Sequence, residues 1–173
     1  MIEILRARRS VRSFEERPIE EEKVKILKEV LLRSPSSRSL NPWEFILVDD
    51  RETLVTLSRS KKHGAAFLGK AALGVVILGD TEKADTWVED CSIAAITLQY
   101  AAESIGLKSC WCQIRMRQHD GEISAEEFVR EVIGVPENYM VECIIGLGYP
   151  LEDRPPHAYN DLDWEKIHYG SYR

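Results

Sequence analysis

One short apolar run in the middle of the chain, residues 73–78, limits the fold more than any other feature of the sequence. A strand that is apolar on both faces must be covered by protein on both sides, so this run is typical of a buried central strand. Further strand candidates at 43–48, 109–114 and 141–147 alternate with helical patterns. The sequence therefore predicts alternating helices and strands, with residues 73–78 in the centre of a sheet.

The helical patterns predict five helices around these strands. In the second helix, Val24, Leu27 and Leu31 recur at the spacing of one helix face. The fifth helix opens with a capping-box pattern, Ser124 followed three residues later by Glu127. The fourth carries pairs of alanines, which would let another helix approach closely, either in the core or at a dimer interface. The predicted helices are 2–9, 19–33, 51–60, 86–105 and 124–133.

Length and charge exclude several functional classes. The 173 residues suit about one domain, taken as 1–173, without a repeat or linker. A net charge of −6, from 23 basic and 29 acidic residues, argues against a nucleic acid partner. The chain shows neither a signal peptide nor an apolar stretch long enough to span a bilayer, so we expect no membrane association. Its four cysteines are too sparse for a disulfide framework and are expected to be reduced in a cytoplasmic protein.

The sequence lacks the motifs of the common catalytic folds. It has no glycine-rich dinucleotide or phosphate loop, no nucleophile elbow and no zinc-protease motif. The pair Cys110 and Cys112 has no second pair at metal-binding spacing, and the four histidines are scattered. The sequence therefore predicts no metal site, and nothing in it points to a side-chain nucleophile.

The strongest local signal is a basic run near the start of the chain. Arg8, Arg9 and Arg12 lie within five residues of one another, together with the hydroxyl of Ser10. Guanidinium groups carry a permanent charge and offer paired donors that match a phosphate. The run predicts either a phosphate-binding cradle or a solvated basic patch, and composition alone favours neither. The carboxylates that could neutralise such a patch are Glu15, Glu16 and Glu20.

Two further segments are candidates for a ligand site. The polar loop at 35–41 is bracketed by prolines that restrict its backbone, which suits either a rigid ligand-binding edge or a plain helix-to-strand connection. Trp111, Cys112 and Gln113 lie at the end of a strand that we place in the centre of the sheet. Strand ends are common ligand positions in α/β proteins, although a single tryptophan is more often part of the core.

Five motifs, in a fixed order, run from residue 6 to residue 169 and so cover essentially the whole chain. They are Arg-Arg-Ser-x-Arg-x-Phe from Arg8, Ser-Pro-Ser-x-x-x-x-Asn-Pro-Trp from Ser34, an alanine-rich helix that leads to Leu107 and Trp111, Ile-Gly-Leu-Gly-Tyr-Pro from Ile145, and Ile-His-Tyr from Ile167. Each motif alone is weak, but their order and spacing are specific. Together they resemble the FMN-dependent nitroreductase-like oxidoreductases.

The resemblance implies an α+β fold, a nitroreductase-like α/β/α sandwich with a mainly antiparallel central sheet. It also implies an obligate homodimer with FMN bound at the subunit interface. The aromatic, aperiodic segment 150–173 would then be an extended C-terminal tail that packs on the partner subunit and is exchanged with it.

The resemblance also assigns three groups of residues to the cofactor. The first would hold the FMN phosphate, the ribityl chain and the pyrimidine edge of the flavin: Arg8, Arg9, Ser10 and Arg12. The second would reach the same FMN from the other subunit: Ser36, Ser37, Ser39 and Asn41. The third would run along the opposite side of the ring system: Trp111, Cys112 and Gln113.

The chain departs from the family pattern in two places. Members of the family often carry a cation in the tail that helps to bind phosphate, and the nearest candidates here are Arg154, which we include in the predicted site, and His157. The segment after Ile114 is short, and the Pro-Glu-Gly flavin loop of larger members is absent. The substrate preference of the family therefore cannot be transferred.

The activity implied by the resemblance is an FMN-dependent oxidoreductase. NAD(P)H would give a hydride to flavin N5, and a nitroaromatic, quinone or similar conjugated acceptor would then take it in a ping-pong order. The cofactor would supply this chemistry, so no catalytic side chain is expected. The alternative is a protein that binds a flavin or another phosphate-bearing ligand without turnover.

Overall fold

The computed structural model describes residues 1–152 and 154–172 of the chain. Within these residues the α-helices are α1 (Ile2–Ala7), α2 (Glu21–Leu32), α3 (Arg51–Leu57), α4 (Trp87–Ser104) and α5 (Ala125–Ile133). The strands are β1 (Trp43–Val48), β2 (Leu73–Asp80), β3 (Lys108–Gln113) and β4 (Tyr139–Gly148). Short 3-10 turns lie at Ser37–Ser39, Ala66–Lys70, Tyr159–Asp161 and Trp164–Lys166.

The strands form one sheet in the order β1-β2-β4-β3, and all neighbouring strands are antiparallel. This confirms the expected α+β architecture and places the predicted central strand, β2, between β1 and β4. The register puts Gln113 opposite Cys143 and Trp43 opposite Gly79. As a result, the starts of β1 and β4 lie on the same side of the sheet as the ends of β2 and β3. We call this side the 113 end, and the opposite side, where β3 begins, the 108 end.

Helices cover both faces of the sheet because β2 and β4 are apolar on both sides. On one face, Val76 and Ile144 pack with α3 and α5. On the other, Val75 and Ile145 pack with α2 and α4. Each of these four side chains is fully buried, and burial of one such side chain stabilises the fold by about 2 kcal/mol. Successive side chains of β2 face opposite sides of the sheet, and both sides are buried. This accounts for the continuous apolar run in the sequence.

The predicted place of β3 in the sheet was wrong. Within the described residues, β3 is an edge strand that pairs with β4 and, at its first residues, with the N-terminal segment. Its composition suggested a central strand because Cys110 and Cys112 both face the core between the sheet and the α3 and α5 helices. The pattern within one strand does not report which strands lie beside it.

The alanines of α4 belong to the core. Ala94, Ala95 and Ala102 are fully buried among side chains of α2 and the sheet, so these three residues settle the alternative in favour of the core. The observed helix bounds differ from the predicted ones by at most a few residues. The first helix, for example, ends at Ala7 because Arg8 is already extended. Among the helices of the described residues, we find none that is long and apolar enough to cross a membrane.

The described part of the C-terminal segment, 151–152 and 154–172, is exposed throughout and forms no strand. It carries large apolar side chains that a chain in isolation leaves in water, among them Leu162, Trp164 and Ile167. The segment leaves the body of the protein beside Phe14, which forms a bridge with Pro150. A further hydrogen bond joins it to the body, from the Arg9 guanidinium to the carbonyl of Pro155.

Candidate flavin site

The basic segment that follows α1 is fixed to the 108 end of the sheet. The backbone N–H of Val11 donates to the carbonyl of Ser109 at 3.1 Å, and Ser10 forms a parallel bridge with Ser109. Phe14, which is buried, packs directly on Gly148, where an added Cβ would lie only 3.0 Å from the phenyl ring. The segment therefore lies along the first residues of β3 in a defined register.

Positive charge lies along β3, with Arg8 and Arg12 in the segment bonded to its first residues and Lys61 at its last residue. Burial raises the pKa of the Cys110 thiol, and the groups that oppose this shift are Arg12, the Ser10 hydroxyl bonded to the thiol, Arg8 and Lys61. A favourable effect on a thiolate marks these groups as a cationic environment. The same cations would favour an anionic ligand bound beside Cys110.

Two of the three glutamates near the basic segment have other partners. Glu20 accepts from Arg17 at 2.6 Å and from the hydroxyl of Tyr149. Glu16 lies 3.8 Å from Arg51. Within residues 1–152 and 154–172, we find no salt bridge from a carboxylate to any of the three predicted arginines. The geometry therefore does not support the alternative that the basic run is a solvated patch neutralised by neighbouring glutamates.

Lys61 joins this cluster and was missed by the sequence interpretation. Its ammonium donates to the carbonyl of Gln113 at 2.8 Å, and its charge also lowers the pKa of the Cys112 thiol. The residue lies in the connection after α3, far in sequence from the basic segment. A run of basic residues at 59–63 was the available signal, but only the packing of α3 against the sheet brings Lys61 to β3.

The three predicted β3 residues divide between the two faces of the sheet. The thiol of Cys112 is fully buried, and burial raises its pKa to about 11. Only the backbone of Cys112 is therefore available to a ligand. Trp111 and Gln113 lie on the opposite face and are half-buried, and the indole Nε1 donates to Gln113 Oε1 at 2.9 Å. They present an aromatic and an amide group at the open edge of the sheet.

A buried carboxylate holds the Gln113 side chain and was also missed. Glu142 is the extra residue of a bulge in β4, opposite Ile77 and Leu78 of β2, and bulges are common beside functional sites. Its Oε1 accepts from Gln113 Nε2 at 3.3 Å, while its Oε2 is buried without a hydrogen bond in the described structure. Burial is the main cause that raises the pKa of Glu142.

The loop at 36–41 is strained and tightly held. Arg38, Ser39 and Asn41 all have positive φ, at 53°, 54° and 47°, and each such residue costs of the order of 1 kcal/mol. The hydroxyl of Ser36 accepts from the Asn41 backbone N–H at 2.8 Å and donates to its Oδ1 at 2.7 Å. Strain of this kind persists only where the surrounding contacts impose it, and such strain is concentrated at functional sites.

Asp90 of α4 fixes the same loop and was not singled out by any sequence pattern. It is only 2% exposed. Its Oδ1 accepts from the backbone N–H of Ser37 at 2.8 Å and its Oδ2 from Thr86 at 3.2 Å. The backbone donors of Ser39 and Asn41 are already used inside the loop. The backbone N–H groups of Ser37, Ser39 and Asn41 are therefore not available to a ligand.

One chain does not bring this loop to the basic segment. The loop precedes β1 at the 113 end, whereas the basic segment lies against β3 at the 108 end. β1 and β3 are three strand spacings apart, about 14 Å, and the two ends of β3 are about 17 Å apart. A site that contains both groups would need a second copy of the chain.

Arg154 is exposed, and no described contact fixes its side chain. The next residue, Pro155, accepts a hydrogen bond from Arg9, so the backbone at Arg154 lies near the basic segment. Within the described ranges, no cluster of His, Cys, Asp and Glu could hold a metal ion.

Comparison with known proteins identifies the family. The model of the nitroreductase family matches residues 5–64 and 54–149. A protein of Archaeoglobus fulgidus named as an NADH dehydrogenase/NAD(P)H nitroreductase is 32% identical over 173 residues, which are 96% of this chain and 95% of the relative. An FMN-dependent nitroreductase from Clostridium difficile superposes with a TM-score of 0.98 at 44% identity, over 99% of this chain and 100% of that one.

A more distant structure is the NADPH:FMN oxidoreductase of Vibrio harveyi in complex with NAD⁺. It has a TM-score of 0.81 at 25% identity, and the match covers 99% of this chain and 77% of the other. The sequence, the sheet order and these similarities agree, and the chain belongs to the nitroreductase family.

Proposed function

We propose that the protein is an FMN-dependent NAD(P)H oxidoreductase that reduces nitroaromatics, quinones or related conjugated acceptors. The observation that carries the proposal is that cations without a carboxylate partner in the described structure flank β3. Arg8 and Arg12 belong to the segment bonded to its first residues, and Lys61 donates to the carbonyl of Gln113, its last residue. The named activities of its relatives support it, because they include an FMN-dependent nitroreductase and an NADPH:FMN oxidoreductase.

The residues at this site fit FMN in charge and chemistry. The phosphate carries about two negative charges, and the site offers permanently charged guanidinium groups without carboxylate partners in the described structure. Arg8, Arg9 and Ser10 would hold the phosphate and ribityl chain, and Arg12 and Lys61 would place positive charge at the pyrimidine edge. Trp111 and Gln113 would line the ring system, with Cys112 contributing its backbone only. Arg154 would add a further cation near the phosphate.

When bound at this site, FMN would supply the hydride-transfer chemistry, with NAD(P)H as the electron donor and a conjugated compound, protonated from solvent, as the acceptor. The side chains of this chain bind and orient both partners and stabilise negative charge at the flavin edge by their cations. The thiols take no part as nucleophiles, because burial raises the pKa values of Cys110 and Cys112. No catalytic side chain is needed.

The site is completed by a homodimer. The strained loop would bring Ser36, Ser37, Ser39 and Asn41 to the FMN of the partner subunit, which accounts for its distance from the basic segment of its own chain. The C-terminal tail, 150–173, would pack on the partner and be exchanged with it. A cytoplasmic location stays a prediction from the reduced cysteines.

An absorption spectrum of the purified protein, before and after anaerobic NADH or NADPH, tests the function. We expect flavin bands that bleach on addition of the nucleotide and return when a quinone or nitroaromatic is added. Bands that never bleach would favour the alternative, a flavin-binding protein without turnover. A protein that neither carries nor takes up FMN would overturn the proposal.

A further inference from the structure

A cleft beside the flavin site is lined on one wall by cations. Its volume is about 740 Å³. Arg59, Lys61 and Lys62, from the connection after α3, form one side, and Gln118, His119 and Asp120, from the segment before α5, form the other. Since the two segments are distant in sequence, the fold rather than a local motif creates the cleft.

The cations of the cleft have no carboxylate partner in the described structure. Elsewhere in the protein such pairs do form, as in Arg33–Glu29 and Lys108–Glu103. Across the described residues, no salt bridge involves Arg59, Lys61 or Lys62. Among the described residues that line the cleft, Asp120 carries the one carboxylate. Its Oδ1 already accepts from the backbone N–H groups of Glu122 at 2.8 Å and Ile123 at 3.0 Å.

The opposite wall has a fixed hydrogen-bonding edge. The His119 ring stacks on Phe128 with centroids 4.1 Å apart and planes at 14°, and its backbone N–H donates to the carbonyl of Ile123. The neighbouring Gln118 forms a bridge with Ser124. The imidazole and the backbone of this wall are thus held in place across from three cations, and cations of this kind suit a ligand with several phosphate oxygens.

The inner end of the cleft adjoins the flavin contacts. Lys61 lines the cleft and also donates to the carbonyl of Gln113. A ligand in the cleft would therefore lie next to the carboxyl end of β3, where Gln113 and Trp111 are placed. In a nicotinamide nucleotide, the phosphates are separated from the reacting ring by only one ribose. Such a nucleotide can therefore react above the flavin while its phosphates lie in the adjoining cleft.

We propose that this cleft binds the phosphate groups of the nicotinamide nucleotide that reduces the flavin, with Arg59 and Lys62 as the determinants of its affinity. The proposal rests on the proposed function and adds the place of the electron donor. Two phosphate groups of such nucleotides fit this cleft. One is the pyrophosphate, which NADH and NADPH both carry, and the other is the 2′-phosphate, which only NADPH carries.

The test compares Arg59→Glu and Lys62→Glu with Lys25→Glu, an exposed charge reversal on α2 that alters the net charge equally. We expect the KM for NADPH to rise about tenfold or more in each cleft variant, because a charged hydrogen bond is lost, with kcat at saturation and FMN content unchanged. An equal rise for NADH assigns the cleft to the pyrophosphate. A rise confined to NADPH assigns it to the 2′-phosphate.

A KM that changes no more than in Lys25→Glu, for both nucleotides, would overturn the proposal. Calorimetric titration with NADP⁺ and NAD⁺ separates this outcome from a failure of the proposed function. If neither NADH nor NADPH reduces the flavin, but NADP⁺ or NAD⁺ binds wild type and binds Lys62→Glu more weakly, the cleft stands and the activity does not. If both nucleotides bind the variants and wild type alike, or fail to bind wild type, the cleft is not the site.

Discussion

At the scale of single residues, the clearest consequence concerns Arg8. It belongs to the segment that is bonded to the first residues of β3, and its charge acts on the Cys110 thiol together with that of Arg12. Replacing Arg8→Ala removes one charged contact to the FMN phosphate, so we expect FMN affinity to fall about tenfold or more. The measurement is FMN retained after dialysis, followed by titration of the apoprotein. Arg6→Ala is the matched control, since Arg6 is exposed and pairs with Glu3; equal retention in both variants would refute the phosphate assignment.

Glu142 gives a prediction on the pH dependence of stability. Burial, together with Glu126 and Glu89, raises the pKa of this carboxyl above its ordinary value of 4.5, against the lowering effects of Gln113 and Arg115. The folded state therefore binds the proton more tightly than the unfolded chain. The stability that this group contributes is fully present below pH 4.5 and is lost as pH rises through the folded pKa.

The variant Glu142→Gln removes this pH-dependent loss and keeps an acceptor for the Gln113 amide. We expect its stability relative to wild type to increase from acidic to neutral pH, as measured by urea unfolding across that range. Glu131→Gln, a change at an exposed position on α5, should leave the difference small at every pH. A stability difference for Glu142→Gln that is constant with pH would contradict the prediction.

At the scale of elements, Asp90 couples helix α4 to the strained loop. In Asp90→Ala, the backbone N–H of Ser37 loses its acceptor, and the positive-φ residues of the loop lose a contact that holds them. We expect a loss of about 1–3 kcal/mol in unfolding free energy and faster hydrogen exchange at 36–41. Glu89→Ala, one residue away and exposed, should change neither. Unchanged exchange in the loop would show that Asp90 does not impose its conformation.

The elements show what the sequence could and could not predict. The positions of β2 and α5 followed from local patterns, a run apolar on both faces and the capping box at Ser124 that the structure contains. The edge position of β3 did not follow, because strand order depends on contacts that one strand does not encode. For the same reason the sequence did not predict three residues of the site, which reach it only through tertiary packing: Lys61, Asp90 and Glu142.

At the scale of the whole molecule, the C-terminal tail is the feature that a single chain does not explain. A tail with Trp164 49% and Ile167 60% exposed leaves apolar surface in water, a state that association with a second chain would relieve. The distance between the strained loop and the basic segment points to the same second chain. Both observations are satisfied together if the tail crosses to the partner and the loop completes the partner's flavin site.

We therefore expect a dimer by light scattering at micromolar concentration, and expect Trp164→Asp to weaken both dimerisation and FMN binding. The residue is exposed within its own chain, so the variant should keep the fold, which circular dichroism can check. Glu165→Gln, its polar neighbour in the same turn, should remain a dimer. A wild-type monomer that binds FMN fully would refute the shared site, because the loop at 36–41 cannot then reach the cofactor. A dimer unaffected by Trp164→Asp would refute only the tail's part in it, since loop and basic segment could still meet across another interface.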